Sequence, residues 1–289
     1  MSAILSSALT SSTSIDGCSI RYRVLGAGVP VVLTPGGRCP LELVMPLVEK
    51  LAERCRVIVW DRANLGGSDV MFRGASDLDL WADQLERLLR QLDAYPAYLA
   101  GASSGARVSI RTALRFPDTV RGLFLWLLSG GPVTVPLART YYGEAAEIAE
   151  RDGMAAVAAM PYWADRILAN PANRARLLGE NPQQFASVMR RWVKTMRAED
   201  LLIGAPEEDL RRLTVPVRIV AGSDDTGHLR ERAERAAAVI PEAELIDPAG
   251  FREEWMKIKQ RVPVGTGYEL VPHLPGLIAD YVDSRRKDN

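Results

Sequence analysis

In Gly101-Ala102-Ser103-Ser104-Gly105 a serine lies between two glycines, each two residues away. The apolar run Ala97-Tyr98-Leu99-Ala100 leads into it, and a sequence suited to a helix leads out. A strand that turns this sharply into a helix strains the backbone of the central serine. Its hydroxyl then stands above the strand end, and the next N–H lies at the positive end of a helix. The flanking glycines fit that geometry, because so tight a turn leaves no room for Cβ atoms beside the serine. A serine hydroxyl is a weak nucleophile until a base takes its proton, so chemistry here calls for an imidazole. The five letters alone also describe an ordinary small-residue turn; the elements around them decide.

Those elements alternate. Ser19 to Leu25 alternates apolar and polar residues, as an antiparallel edge strand exposed on one side would. Pro30 to Thr34 and Arg56 to Trp60 are continuous apolar runs suited to strands buried on both faces, with a helical pattern over 41–54 between them. Asp77 to Leu92 is amphipathic, Ala97 to Ala100 leads into the serine turn, Ser104 to Arg115 is helical, and Gly122 to Leu128 is the next strand. The rhythm then stops. From Pro132 to about Leu213 there are only helical stretches (142–151, 163–169, 183–197) punctuated by prolines. Strand character resumes at Val215 to Ala221 and Ala243 to Ile246, with a helix from Leu229 to Ile240 between them. Phe251 to Arg261 has helical charge patterning, Gly265-Thr266-Gly267-Tyr268 follows, and Leu277 to Arg285 is a final helix. The pattern predicts an α/β fold, a mostly parallel central sheet flanked by helices, with residues 1–131 and 214–289 as the core domain and 132–213 as a helical cap inserted over the strand ends.

Composition limits the partners. The 289 residues carry 47% hydrophobic and 25% charged side chains with a formal net charge of +0, so no global field draws the chain to nucleic acid or an anionic membrane. Cys18, Cys39 and Cys55 are odd in number and lack C-x-x-C spacing, which argues against a disulfide framework or a zinc site. No basic leader and no apolar run of about 20 residues is evident. A cytoplasmic protein acting on a small molecule is expected, with no metal or cofactor and no nucleic-acid partner; whether it forms a homodimer is left open. Gly101 to Gly105 does not have the G-x-G-x-x-G spacing of a dinucleotide site.

Four motifs in order resemble those of the α/β-hydrolase fold family, and together they span about Ile20 to Val282. Val31-Val32-Leu33-Thr34-Pro35-Gly36-Gly37 is similar to that family's early strand and oxyanion loop, with Pro35-Gly36 where His-Gly is usual. Asp61-Arg62-Ala63-Asn64-Leu65-Gly66-Gly67-Ser68 resembles its Asp-x-Arg-Gly-x-Gly-x-Ser turn, with altered spacing. Ser103 follows Ser68 by 35 residues, where the family has its nucleophile. Val215 to Asp225 resembles the late strand that ends in the acid.

The resemblance implies roles. Ser103 would be the nucleophile, and the backbone N–H groups of Gly37 and Ser104 would hold the developing oxyanion. The acid would be Asp225, three residues after Gly222, or else the neighbouring Asp224; either residue could instead cap the following helix. The family's histidine follows the last strand, which makes His273 the preferred base; His228, three residues past Asp225, could also face the pocket. Arg38 beside the oxyanion loop could bind a substrate carboxylate or serve structurally. Tyr141, Tyr142, Trp163 and Trp192, with Trp126 below, suggest an apolar substrate pocket, although aromatic residues at helical spacing also build cores. The implied activity is hydrolysis of an ester, thioester or lactone through an acyl-enzyme. Non-hydrolytic uses of the same fold (carbon–carbon cleavage, cofactor-free oxygenation, ligand reception) form the alternative.

Overall fold

Val31-Val32-Leu33 and Val57-Ile58-Val59 are apolar at every position, and such strands are stable only when both faces are covered. The computed structural model, which describes residues 10–222, 225–260 and 272–286, covers them in that way. Its eight strands are β1 (Ser11–Ile15), β2 (Cys18–Leu25), β3 (Pro30–Thr34), β4 (Arg56–Trp60), β5 (Ala97–Ala102), β6 (Val120–Trp126), β7 (Val217–Val220) and β8 (Glu244–Ile246). They form one sheet in the order β1-β2-β4-β3-β5-β6-β7-β8. β1 and β2 pair antiparallel, and β4 through β8 run parallel to β3. β2 is therefore not the edge the alternation predicts. β1 covers it, a strand of Ser-Ser-Thr-Ser-Ile too polar to read as one.

Side chains alternate across the sheet and feed two cores. Val32, Ile58, Leu99, Leu123 and Leu125 face one side, where α2 (Asp77–Gln91) and α3 (Ser104–Arg115) pack. Val31, Leu33, Val57, Val59, Phe124 and Trp126 face the other, toward α1 (Met45–Leu51) and the last helix. Leu85, Leu88 and Leu89 of α2 are completely buried, each contributing roughly 1.5–3 kcal/mol by leaving water. Ser76 caps α2: its Oγ accepts from the Asp79 N–H at 3.0 Å and satisfies a donor the helix cannot.

Between β6 and β7 the chain is helical among the described residues: α4 (Thr134–Ala138), a π-helical turn over Arg139–Gly143, then α5 (Glu144–Asp152), α6 (Met154–Ala159), α7 (Pro161–Ala169), α8 (Ala172–Gly179), α9 (Pro182–Thr195) and α10 (Glu207–Leu210). Its prolines start helices, since Pro161 and Pro182 occupy first positions, where no N–H is needed. α11 (Arg230–Val239), α12 (Phe251–Lys259) and α13 (Leu274–Arg286) complete the chain. No helix among the described residues is long and apolar enough to cross a membrane.

The close approach of α3 to β3 sets one sharp limit. A Cβ on Gly105 would lie 1.9 Å from the Thr34 carbonyl oxygen, whereas one on Gly179, at the end of α8, would meet nothing within 4 Å. Gly105→Ala is expected to destabilise the fold by about 2–4 kcal/mol through forced backbone displacement. Gly179→Ala should be neutral, or stabilising by up to about 1 kcal/mol. Denaturant unfolding of the two variants beside the wild type checks the contrast; equal stabilities would contradict the packing described.

Candidate active site

Ser103 stands between β5 and α3 with φ 49° and ψ −113°, a region that non-glycine residues occupy only under constraint. The constraint is visible on both sides. A Cβ on Gly101 would come within 2.5 Å of Gly105 backbone atoms, and the Ser103 N–H donates to the Trp126 carbonyl at 3.1 Å. The serine is half-buried, with its hydroxyl at the carboxyl ends of the parallel strands.

Two further groups meet it from one short loop. After β7 the chain turns between Asp225 and His228, with the His228 N–H on the Asp225 carbonyl at 3.2 Å. Both side chains are thereby turned to the same side. His228 Nδ1 lies 3.1 and 3.2 Å from the two Asp225 carboxylate oxygens, and Nε2 lies 3.2 Å from Ser103 Oγ. A carboxylate can only accept, so Nδ1 carries the hydrogen and Nε2 is left to accept from the serine hydroxyl. Such an arrangement can take a proton from Ser103 and return it.

Asp225 is held from several directions. Its Oδ1 accepts the N–H groups of Gly227 at 2.7 Å and His228 at 3.0 Å, and its Oδ2 accepts Trp255 Nε1 at 2.9 Å. Lys259 Nζ stands 3.3 Å from Oδ2. Burial alone would raise the carboxyl pKa, but the bonds and charge of His228, the Trp255 indole and the Gly227 N–H outweigh it and hold Asp225 well below the usual carboxylate range. It is therefore ionised at every physiological pH.

His273, the preferred base by chain order, does not approach Ser103. It stands on the exterior, its side chain 58% exposed, with Nε2 2.9 Å from Glu254 Oε1. After β8 the chain delivers α12 to Asp225 instead, and α12 contributes Trp255 and Lys259 to its carboxylate. Asp224 and Gly265 to Tyr268 lie outside the described residues.

The loop after β3 is fastened to the serine turn by a buried arginine. Arg62, 1% exposed, donates to the carbonyls of Pro35 at 3.0 Å and Gly37 at 3.1 Å and to Ser104 Oγ at 3.1 Å. Ser104 Oγ in turn donates to the Gly37 carbonyl at 3.2 Å. The backbones of Gly37 and Ser104 are thus locked side by side. The neighbouring pocket is lined by both of these residues, by Arg38, and by Tyr141, Tyr162 and Trp163 from the helices between β6 and β7. Arg38 is half-buried, donating to the carbonyls of Thr140 and Tyr141 and stacking 3.6 Å from the Tyr162 ring centre. Trp126 is not among the pocket's lining. Facing the opposite side of β6, it is fully buried with Phe124 in the second core.

Sequence reasoning did not single out Trp255, Lys259 or Arg62. The only signal for the first two was the spacing of Phe251, Trp255 and Ile258 on one face of a charged helix. Arg62 appeared as a motif letter, without a partner to give it meaning.

Comparison with known proteins bears on the family and the fold. A sequence model of the alpha/beta hydrolase family matches residues 31–273. RutD of Azorhizobium caulinodans, provisionally named a carbamate hydrolase, is 27% identical over 233 residues, 78% of this chain and 84% of its own. Among solved structures, the enol-lactonase from Burkholderia xenovorans LB400 gives a TM-score of 0.60 at 15% identity, over 96% of this chain and 100% of that one. A thermophilic esterase from Thermogutta terrifontis gives 0.60 at 21% identity, over 97% and 99%. At such identities these two likenesses speak for the fold.

The Asp225 contacts predict a pH signature in stability. A carboxyl with a depressed folded pKa contributes stability at pH values above its unfolded pKa, and that contribution is lost as pH falls through the folded value. Trp255→Phe removes one donor and so reduces the depression. The variant is expected to be about 1–2 kcal/mol less stable at pH 7, and the deficit should persist to pH 3, because Asp225 stays ionised in both folded proteins above its depressed folded pKa. Urea unfolding at pH 7, 5 and 3 measures this; a deficit that disappears already at pH 3 would place the folded Asp225 pKa in the ordinary carboxylate range and contradict the contacts described.

Proposed function

Because the chain belongs to the alpha/beta hydrolase family, we propose that it is a serine hydrolase cleaving a carboxylic ester, thioester or lactone of a small substrate through an acyl-enzyme. The observation that carries this reading is the continuous contact from Asp225 through His228 to Ser103. In the reading, Ser103 Oγ attacks the substrate carbonyl while His228 Nε2 takes its proton. Asp225 keeps the imidazole in the tautomer with hydrogen on Nδ1 and stabilises the imidazolium that forms. Negative charge moves onto the carbonyl oxygen, where the N–H groups of Gly37 and Ser104 receive it, each donor of this kind being worth roughly 10²–10³ in rate. Arg62 acts at one remove, holding those two backbones together. As the tetrahedral intermediate collapses, His228 gives the proton to the leaving oxygen or sulfur. Water, deprotonated by the same nitrogen, then releases the acid.

Residues 132–213 act as the cap in this proposal. Tyr141, Tyr162 and Trp163 line the pocket beside Ser104, and Trp163 meets Phe72, Tyr162 and Phe185 edge-on. An aromatic wall of this kind accepts the apolar part of a substrate and keeps water from the acyl-enzyme.

With 4-nitrophenyl acetate as substrate, Ser103→Ala is expected to lower kcat by about 10⁴-fold or more, and His228→Ala to approach it, because the members of such a unit are not additive. His273→Ala should stay within about 3-fold of wild type, as expected for an exposed side chain. Full activity in His228→Ala would end this reading. Trp163→Ala should alter the ranking of acyl-chain lengths from acetate to octanoate more than the rate on acetate itself. A uniform loss on every chain length would make Trp163 a core residue only.

A further inference from the structure

The pocket beside Ser104 holds more positive charge than the protein neutralises. Arg107 stands one turn into α3, its backbone N–H on the Ser103 carbonyl at 3.2 Å, and its side chain lines that pocket. It is only 5% exposed. Its Nε has no hydrogen-bond partner, and among the described residues its side chain makes no hydrogen bond or ion pair. A second buried donor is in the same condition: Nε1 of Trp192, 1% exposed and lining the same pocket, has no acceptor.

The neighbouring charges compensate only in part, Asp77 supporting the Arg62 charge at a distance. The guanidinium of Arg62 bonds only carbonyls and a hydroxyl, and that of Arg38 only carbonyls. The pocket's carboxylate, Asp77, accepts instead from the Tyr142 hydroxyl and the Leu78 N–H. It forms no ion pair with any of the three arginines among the described residues.

Buried polar groups are nearly always satisfied, and a buried charge without a counterion is costly. Two orphaned donors, one of them cationic, on two residues that line a single aromatic space therefore call for a ligand that brings acceptors and negative charge. Resting on the hydrolase reading above, we infer that the substrate carries a carboxylate on the part that enters this pocket, and that Arg107 receives it, with Trp192 Nε1 as a second donor. A guanidinium fork matches a planar carboxylate. Asp77 in the same wall disfavours a doubly charged group, which separates a carboxylate from a phosphate monoester. The anion would lie on the α3 side of the oxyanion loop, a short chain away from the carbonyl under attack. The substrate class is then a short half-ester, half-thioester or lactone acid.

The test compares the mono-4-nitrophenyl ester of glutaric acid with the same compound capped as its methyl ester. Wild type is expected to favour the free acid in kcat/KM by about 30-fold or more, the scale of one buried charge-assisted pair. Arg107→Met should bring that ratio to about 1, acting mainly through KM. Arg107→Lys, which keeps the charge and loses the fork, should retain part of the preference, and Trp192→Phe should reduce it about 3-fold or more. A wild-type ratio near 1, or a ratio unchanged by Arg107→Met, overturns the inference. Calorimetric titration of the wild type and the Arg107 variants with monomethyl glutarate reads the anion site without catalysis. Binding lost in Arg107→Met supports the site even if neither ester is cleaved, an outcome that would count against the hydrolase reading alone. Equal binding by wild type, Arg107→Met and Arg107→Lys, or binding by none, counts against the site. Should Arg107→Met fail to fold, Arg107→Lys and Trp192→Phe carry the comparison; a charged-to-neutral ratio in both equal to that of wild type overturns it.

Discussion

The arrangement at Ser103 depends on one buried guanidinium. Arg62 comes from the turn after β4 and bonds the loop after β3 at two carbonyls and the start of α3 at a hydroxyl. Three separate strand ends are tied at that point, and all of its partners are neutral. Burial, the largest influence on Arg62, lowers its pKa, so the charge is held at a cost that its hydrogen bonds and the nearby ring of Trp81, 4.6 Å from its centre, must offset. Such an arrangement is intolerant of drift. A loop that slid by an ångström would leave a buried charge without partners, and that penalty keeps the Gly37 and Ser104 backbones in register.

Around this tie the turn after β4 braces itself in the same manner. Asp61, 1% exposed, accepts from the N–H groups of Leu41 and Gly67 at 2.9 Å and pairs with Arg21. Burial is the largest influence on its carboxyl and raises the pKa against those partners. A Cβ on Gly66 would fall 2.0 Å from that carboxylate. The Gly66-Gly67 pair is the room that the ion pair occupies. Charge, glycine and turn form one unit here, and its rigidity is passed to the site through Arg62.

Asp225 and His228 follow a different logic. Asp225 and His228 are neighbours in sequence, so the tight turn after β7 sets their mutual geometry locally. Their approach to Ser103 is tertiary, because β7 must pair beside β6, itself beside β5. With His228 already placed beside Ser103 from that loop, the segment after β8 is free for another task. Its helix α12 buries Phe251 and Trp255 and lends an indole and an ammonium to the Asp225 carboxylate. An imidazole contacted at both nitrogens and a carboxylate held from several sides leave these two side chains little conformational freedom.

Local physics made much of this legible in the linear chain. Runs such as Val31-Val32-Leu33 must be covered on two faces, which dictates a parallel sheet between helix layers. The bounds of β3, β4 and α3 follow from apolar pattern and turn residues alone. The serine turn is equally local, since its glycines and its strand-to-helix switch lie within a few residues. Which histidine meets Ser103 could not be read in this way. His228 and His273 are equivalent as letters, and chain order favoured the second. The folded chain brings His228 Nε2 to 3.2 Å and leaves His273 on Glu254, because a three-residue turn positions a side chain at less entropic cost than a long excursion does. Likewise Trp126 and Trp163 are indistinguishable by type. The parity of β6 sends one into the core, and packing between helices sends the other to the pocket. The elements and the serine turn were legible in the chain because their causes lie within a few residues. The histidine that meets Ser103, the pocket wall and the surroundings of Arg107 come from tertiary packing, because each depends on what is absent or present across a gap that spacing along the chain does not measure.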